Sequence, residues 1–184
     1  MNIKVFFAGF GGQGVLAMGN VLAYAAMLEN RFVTYLPSYG AEVRGGTANC
    51  TVAIGDEEIA SPVASEPEIL VAMNLPSLNR FVGRVSAGGF LFINSTLIQW
   101  QPTRTDLEVV EVPATALANE VGMPRSANMV MLGALVGRHG GLVRPDTLKD
   151  AVKKMFASKP KVIDSNVKAF DLGLQFARKL EERQ

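Results

Sequence analysis

Apolar and polar positions along the chain form short apolar runs separated by longer amphipathic stretches. The short runs predict strands at residues 3–9, 31–36, 47–54, 69–73, 90–94 and 108–112. The amphipathic stretches predict helices at residues 15–28, 76–82, 126–138 and 145–156, with a last helix capped by Asp164, Ser165 and Asn166. Strands that alternate with helices predict an α/β fold with a three-layer α/β/α arrangement and an open, mostly parallel sheet. We expect one domain over residues 1–184, with a Gly-rich first βα turn.

Residues 5–28 contain no charge, which raises the question of a membrane span. Five glycines interrupt this stretch, and a glycine turn in hydrocarbon would leave backbone polar groups unpaired. A buried strand, a tight turn and a buried helix fit the pattern better. No signal-peptide pattern opens the chain, so we expect a cytoplasmic location.

Charged residues are few in the chain as a whole and are unevenly distributed along it. The 184 residues are 48% apolar and 19% charged, which excludes a disordered chain, and the net charge of +1 gives no field to recruit nucleic acid or a membrane. Residues 1–100 carry only five basic and seven acidic side chains, whereas residues 101–184 carry thirteen and ten. We therefore expect the first half to form core plus a protein interface, and the isolated chain to self-associate.

Single cysteine and histidine residues limit the chemistry that this chain can perform alone. An iron–sulfur cluster needs about four thiolates and a structural zinc site four Cys or His ligands. Cys50 lies in a predicted strand and is interpreted as a buried structural thiol, and His139 as the end of a helix. We expect no metal site and no catalytic constellation in this chain.

The first candidate site is the glycine-rich turn, formed by Gly9, Gly11, Gly12, Gln13 and Gly14. It fits G-x-G-x-x-G between a strand and a helix, where backbone amides can meet a phosphate. The acidic residue that a dinucleotide site needs after the second strand is absent, and Val-Leu replaces the Lys-Ser/Thr of a P-loop. NAD binding, contact with another anion or backbone, and a purely structural turn all remain open.

A second candidate site follows the second predicted strand, in the sequence Ser-Tyr-Gly-Ala-Glu-Val-Arg-Gly-Gly at residues 38–46. In a parallel sheet this loop leaves the same edge as the glycine-rich turn. The pattern fits either a solvated loop with a weak Glu42–Arg44 pair or a loop that docks a partner or ligand. Its candidate residues are Ser38, Tyr39, Gly40, Glu42, Arg44, Gly45 and Gly46.

These two segments occur in order with Asn-Met-Val-Met-Leu-Gly-Ala-Leu at residues 128–135. Together they resemble the gamma subunit of 2-oxoacid:ferredoxin oxidoreductases of the pyruvate, 2-oxoglutarate or ketoisovalerate type. The resemblance covers most of the chain and implies that residues 1–184 form one gamma-type domain.

The resemblance implies a complex that oxidatively decarboxylates a 2-oxoacid, transfers the acyl group to coenzyme A and reduces ferredoxin. It places thiamine diphosphate, Mg and 4Fe-4S clusters on partner subunits, with coenzyme A as a co-substrate. The implied partners are alpha and beta subunits, with a ferredoxin-like delta subunit as a further candidate. In such a complex the chain would be a required but non-catalytic subunit that docks through its charge-poor half. It would also line the coenzyme A approach, and Glu42 and Arg44 would bind across the subunit interface.

Three alternatives remain. Within the family, the small subunit of indolepyruvate oxidoreductase shares this domain. From other classes, a stand-alone nucleotide-binding protein or a simple structural adaptor would fit the same residues.

Overall fold

The computed structural model describes residues 2–39 and 46–182 and shows six strands beside six helices. The strands are β1 (Asn2–Phe10), β2 (Phe32–Tyr39), β3 (Thr47–Gly55), β4 (Ile69–Ala72), β5 (Phe90–Asn94) and β6 (Glu108–Val112). The helices are α1 (Val15–Leu28), α2 (Leu75–Phe81), α3 (Ala114–Glu120), α4 (Ala127–Arg138), α5 (Pro145–Met155) and α6 (Pro160–Glu181). Short 3-10 turns span Val82–Arg84 and Pro124–Ser126.

The strands form one sheet in the order β2-β3-β1-β4-β5-β6. The pairs β1/β4, β4/β5 and β5/β6 are parallel, whereas β3 runs antiparallel to both β1 and β2. The predicted α/β fold with a mostly parallel sheet is confirmed, with one antiparallel strand inserted between β1 and β2. The hydrophobic pattern did not reveal this insertion because a buried strand is equally apolar in either direction.

Helices cover the two faces of the sheet unequally. On one face, α1 and α4 pack on the alternate residues Val5, Phe7, Val71 and Phe92, and α3, α5 and α6 complete the same core. On the other face, α2 and the adjoining turn cover a smaller cluster around Phe6 and Leu91. Within residues 2–39 and 46–182, α2 is thus the one α-helix on this face, and it covers only part of the sheet.

Three local predictions need correction. The strand expected to close before Pro37 continues to Tyr39, because β2 lies at the sheet edge, where a residue without an N–H is tolerated. The expected caps of the last helix lie inside α6, which begins at Pro160, a residue suited to a first helical turn. The helix α3 was not predicted, since its seven residues are too few to show a period.

The only cysteine and the only histidine in the sequence both have structural roles. Cys50 is fully buried under α1, with its Sγ 3.6 Å from the Val15 carbonyl oxygen, as expected for a structural thiol. His139 is the residue that ends α4, and its ring meets the Phe90 ring edge-on with the centroids 5.2 Å apart. The interpretation of His139 as a helix end is confirmed.

Candidate functional site

The glycine-rich turn connects the carboxyl end of β1 to the first turn of α1. Gly12 and Gly14 have φ values of 94° and 72°, a left-handed conformation that glycine adopts without strain. A side chain at Gly14 would also overlap the amide of Asn128, which donates to the Gly14 carbonyl oxygen at 3.3 Å. A Cβ at Gly9 would lie 2.6 Å from Cγ2 of Val15. The turn therefore requires glycine for conformation and for close packing.

Gln13 holds this turn against the neighbouring strand. Its Oε1 accepts hydrogen bonds from the Phe10 amide and from Nδ2 of Asn74, both at 2.7 Å. Its Nε2 donates to the Met73 carbonyl oxygen at 3.3 Å. Asn74 in turn caps α2 by accepting from the Ser77 amide at 2.9 Å. The side chain of Gln13 thus points into the protein and fixes the shape of the turn.

The second predicted segment begins at the same end of the sheet. Ser38 and Tyr39 complete β2 opposite Asn49 and Ala48. The carbonyl oxygen of Gly46, just before β3, accepts a 3.0 Å hydrogen bond from the Gly11 amide. The structure therefore joins the end of this segment to the glycine-rich turn. Gly40, Glu42, Arg44 and Gly45 lie outside the described residues.

A cavity of about 370 Å³ opens beside the turn, at the carboxyl ends of the parallel strands. Asn94 ends β5 on one side, with its Nδ2 donating to Oγ1 of Thr115 at 2.9 Å. Asn128 stands on the other side, and Arg125 is the one charged residue among the described lining positions. The described lining thus offers amides, hydroxyls, backbone N–H groups and a cation, which suit binding an anionic or amide-bearing group.

The sequence predictions missed most of this cavity. Asn94 is the last residue of β5, and Thr115 is the first polar residue after β6. That position is where open α/β sheets bind ligands, so it was an available signal. Asn128 was part of a quoted motif but was not identified as a site residue. Arg125 lies in the 3-10 turn, for which the sequence has no clear pattern.

The sheet order weakens the dinucleotide interpretation of the turn. In a dinucleotide fold the second strand lies next to the first, and its last residue reaches the ribose. Here β3 separates β2 from β1, so the end of β2 lies two strand spacings, about 9.6 Å, from β1. The geometry therefore favours an anion contact or a structural turn.

Other chemistry is limited in the part of the chain that the structure describes. Among those residues, no group of three or more His, Cys, Asp or Glu side chains is placed to hold a metal ion. Burial raises the pKa of the Cys50 thiol to about 12, so it is protonated and inert at neutral pH. No described helix has the length and apolar content to cross a membrane.

The sheet face at β2 carries exposed apolar side chains. Tyr35 points to the α1 side, since its hydroxyl donates to the Leu16 carbonyl oxygen at 3.1 Å. Side chains alternate along a strand, so Phe32 and Leu36 point to the opposite face. They are 50% and 39% exposed. We call this the β2 face, defined by Phe32, Leu36 and Ser38.

Comparisons with known proteins match this fold and these motifs. The family described as "Pyruvate ferredoxin/flavodoxin oxidoreductase" matches residues 4–176. "Ketoisovalerate oxidoreductase subunit VorA" of Methanothermobacter marburgensis is 40% identical over 177 residues, which are 96% of this chain but 37% of VorA. This chain thus spans little more than a third of that relative. "2-oxoglutarate synthase subunit KorC" of the same organism is 37% identical over 94% of this chain and 95% of its own length.

A solved structure shows the same architecture. The gamma subunit of the keto/oxoacid ferredoxin oxidoreductase from Geobacter sulfurreducens PCA superposes with a TM-score of 0.82 and 27% identity. The match covers 96% of this chain and 99% of that subunit. The resemblance to gamma subunits that the motifs indicated is confirmed. The chain belongs to the pyruvate ferredoxin/flavodoxin oxidoreductase family.

Proposed function

We propose that this chain is the gamma subunit of a 2-oxoacid:ferredoxin oxidoreductase complex. The complex converts a 2-oxoacid and coenzyme A into an acyl-CoA, CO₂ and a proton, and the electron pair released goes to oxidised ferredoxin. Residues 1–184 act as one gamma-type domain in the cytoplasm, and the chain docks other subunits without catalysing the reaction itself.

The observation that carries this proposal is the exposed, uncharged β2 face. Phe32 and Leu36, with Thr34 between them, remain 50% and 39% exposed, so a partner on this face would bury further apolar surface at roughly 25 cal/mol per Å². The last residue of the β2 face, Ser38, lies six positions before the charged residue Arg44 in the sequence. Five of the seven large exposed apolar side chains of the described residues precede residue 100, namely Met27, Phe32, Leu36, Val63 and Leu97.

The cofactors of the reaction fit other chains better than this one. A cluster needs accessible thiolates, whereas Cys50 is buried and its thiol stays protonated at neutral pH. We therefore assign the 4Fe-4S clusters, the thiamine diphosphate and its Mg to alpha and beta subunits, with a ferredoxin-like delta subunit as a further carrier of clusters.

The cavity beside the glycine-rich turn supports a role in lining the coenzyme A approach. Coenzyme A carries a diphosphate and two amides, and the cavity offers Arg125, the free Oδ1 of Asn128, and Gly12 and Gln13 of the turn that leads into α1. That helix has no side-chain cap and no acidic residue in its first turn, so its positive end is uncompensated. Gly12 and Gly14 let a ligand approach the backbone closely.

Native mass spectrometry of the tagged chain, purified from its own cell, tests the proposal. Co-purification of a thiamine-binding chain and a cluster-rich chain, with 2-oxoacid-dependent ferredoxin reduction, is the expected result. An active complex formed by the other chains alone would refute a required subunit. Activity confined to indolepyruvate would favour the indolepyruvate alternative, and a monomer that binds NAD would favour the stand-alone alternative.

A further inference from the structure

A second and larger cavity, of about 520 Å³, lies between the starts of α4 and α6. Its apolar side is formed by Ala17, Met129, Phe156 and Val162. It adjoins the cavity beside the glycine-rich turn, and Pro124, Arg125 and Asn128 line both. Its volume is in the range of cavities that hold small organic ligands. We call it the α4–α6 cavity.

The charges around the α4–α6 cavity are of one sign. Arg125 and Lys161 line it, and its described lining contains no Asp or Glu. Neither side chain forms an ion pair with any residue of the ranges 2–39 and 46–182. Each residue also lies at a helix start, where a positive charge is unfavourable because the peptide dipoles already make that end positive.

The two helix starts are themselves uncompensated. Both α4 and α6 lack a side-chain cap and an acidic residue in the first turn. Two positive helix ends and two unpaired cations therefore meet at one cavity. Both side chains are exposed, so water screens part of their repulsion, and an anion in the cavity would be attracted by both charges and both helix ends.

Two buried amides supply a polar wall with unused hydrogen-bonding capacity. Asn166 is 8% exposed and uses one end of its amide in a 3.3 Å hydrogen bond with Oγ of Ser126. Asn128 is also 8% exposed and donates Nδ2 to the Gly14 carbonyl oxygen. The other end of each amide has no hydrogen-bond partner among the described residues. The free end of Asn166 is Nδ2, a donor that suits an anion, whereas the free end of Asn128 is Oδ1, an acceptor that suits a donor group.

From this geometry we infer that the α4–α6 cavity binds a small organic anion with an apolar body. The carboxylate or phosphate group lies against Arg125 and Lys161 and accepts a hydrogen bond from the free Nδ2 of Asn166. The apolar body packs on Met129, Phe156 and Val162. The coenzyme A approach shares Arg125 and Asn128 with this site, whereas Lys161, Asn166 and the apolar wall line the α4–α6 cavity alone, so their variants test this inference separately.

Backbone NMR titration of the 184-residue chain tests the site. The probes are hexanoate, hexyl phosphate, inorganic phosphate and 1-hexanol. We expect one of the first two to shift the signals of residues 122–129 and 161–166, with inorganic phosphate and 1-hexanol at least tenfold weaker. Preference between hexanoate and hexyl phosphate identifies the anionic group. No shifts at these residues, or equal binding of 1-hexanol, would overturn the inference.

Lys161→Gln and Lys179→Gln make a matched pair, because both remove one exposed lysine of α6 and only Lys161 lines the cavity. Lys161→Gln should weaken binding of the preferred probe about tenfold, the value of a hydrogen bond to a charged group, and Lys179→Gln should not. Ala17→Leu, which fills the apolar side, should also weaken it. Equal affinities for the two lysine variants would refute the assigned site.

Discussion

Nδ2 of Asn74 donates a 2.7 Å hydrogen bond to Oε1 of Gln13, and this contact joins the glycine-rich turn to the start of α2. Asn74 is 6% exposed, so the bond is shielded from water. The other end of its amide accepts from the Ser77 amide and caps the helix. One buried side chain therefore fixes two neighbouring carboxyl ends of the sheet.

Asn74→Asp should separate these two roles. Aspartate keeps the oxygen that caps α2, but it replaces the donor that faces Gln13 with an acceptor. We expect a loss of about 1–3 kcal/mol in the free energy of unfolding at pH 7, because Oε1 of Gln13 loses one donor and faces a charged oxygen. Urea unfolding measures it. Gln13→Met should cost a similar amount, and an unchanged stability of both variants would contradict the role given to this contact.

The close contact of α4 and α6 depends on two glycines. A Cβ on Gly133 would overlap the carbonyl oxygen of Phe170, and one on Gly173 would overlap that of Val130. Backbone atoms cannot move aside as a flexible side chain can, so Gly173→Ala should push the helices apart. We expect a loss of about 1–3 kcal/mol in the free energy of unfolding, typical of overpacking.

Gly140→Ala is the matched control for this contact, since nothing lies within 4 Å of a Cβ at that position. Its thermal midpoint should stay within a few degrees of the unchanged chain, whereas that of Gly173→Ala should fall clearly. Equal midpoints for the two variants would show that the helices do not meet as closely as described.

Much of the fold could be predicted because the buried positions of strands and helices recur with a regular spacing of apolar residues in the sequence. The predicted bounds of α1, β5 and β6 agree with the structure at both ends, since glycine or polar residues punctuate each segment. The direction of β3 could not be predicted, because strand pairing depends on contacts between distant segments. The start of α6 was misplaced because Asp164 and Ser165 have capping side chains, yet Pro160 begins the helix.

The candidate site was only partly predictable for a related reason. The glycines within residues 9–14 predict a tight turn, and the positive φ values of Gly12 and Gly14 confirm that these two positions favour glycine. Asn94 and Asn128, however, are 34 residues apart in the sequence, and they meet only because β5 and α4 pack near each other. The sequence pattern of one segment cannot predict which distant segment will pack beside it. The roles of the two predicted segments in binding stay predictions.

The buried thiol of Cys50 should make stability depend on alkaline pH. Burial raises its pKa from 9.0 to about 12, so between these values the folded chain binds a proton that the unfolded chain has released. The stabilising effect of this group is complete below pH 9 and is lost as the pH rises toward 12. The free energy of unfolding should therefore fall over this range.

Cys50→Ala isolates this effect, because every other residue is the same in the two chains. We expect the stability difference between the unchanged chain and Cys50→Ala to shrink from pH 9 upward, as measured by urea unfolding at each pH. Iodoacetamide at pH 8 should label Cys50 only after unfolding. Rapid labelling of the folded chain would show that the thiol is accessible and the pKa ordinary.

Arg44→Ala should release the chain from its complex while leaving its own fold intact. Arg44 and Glu42 are the two charges between Arg31 and Asp56, and in the sequence they follow the strand that carries the apolar β2 face. If they pair across an interface, truncating Arg44 leaves the opposing charge buried, at a cost of about 3–5 kcal/mol, or more than a hundredfold in affinity. Lys179→Ala, at the exposed end of α6, is the control and should co-purify normally. Thermal melting of the isolated Arg44→Ala chain should match that of the unchanged chain, and normal co-purification of this variant would show that Arg44 does not hold the interface.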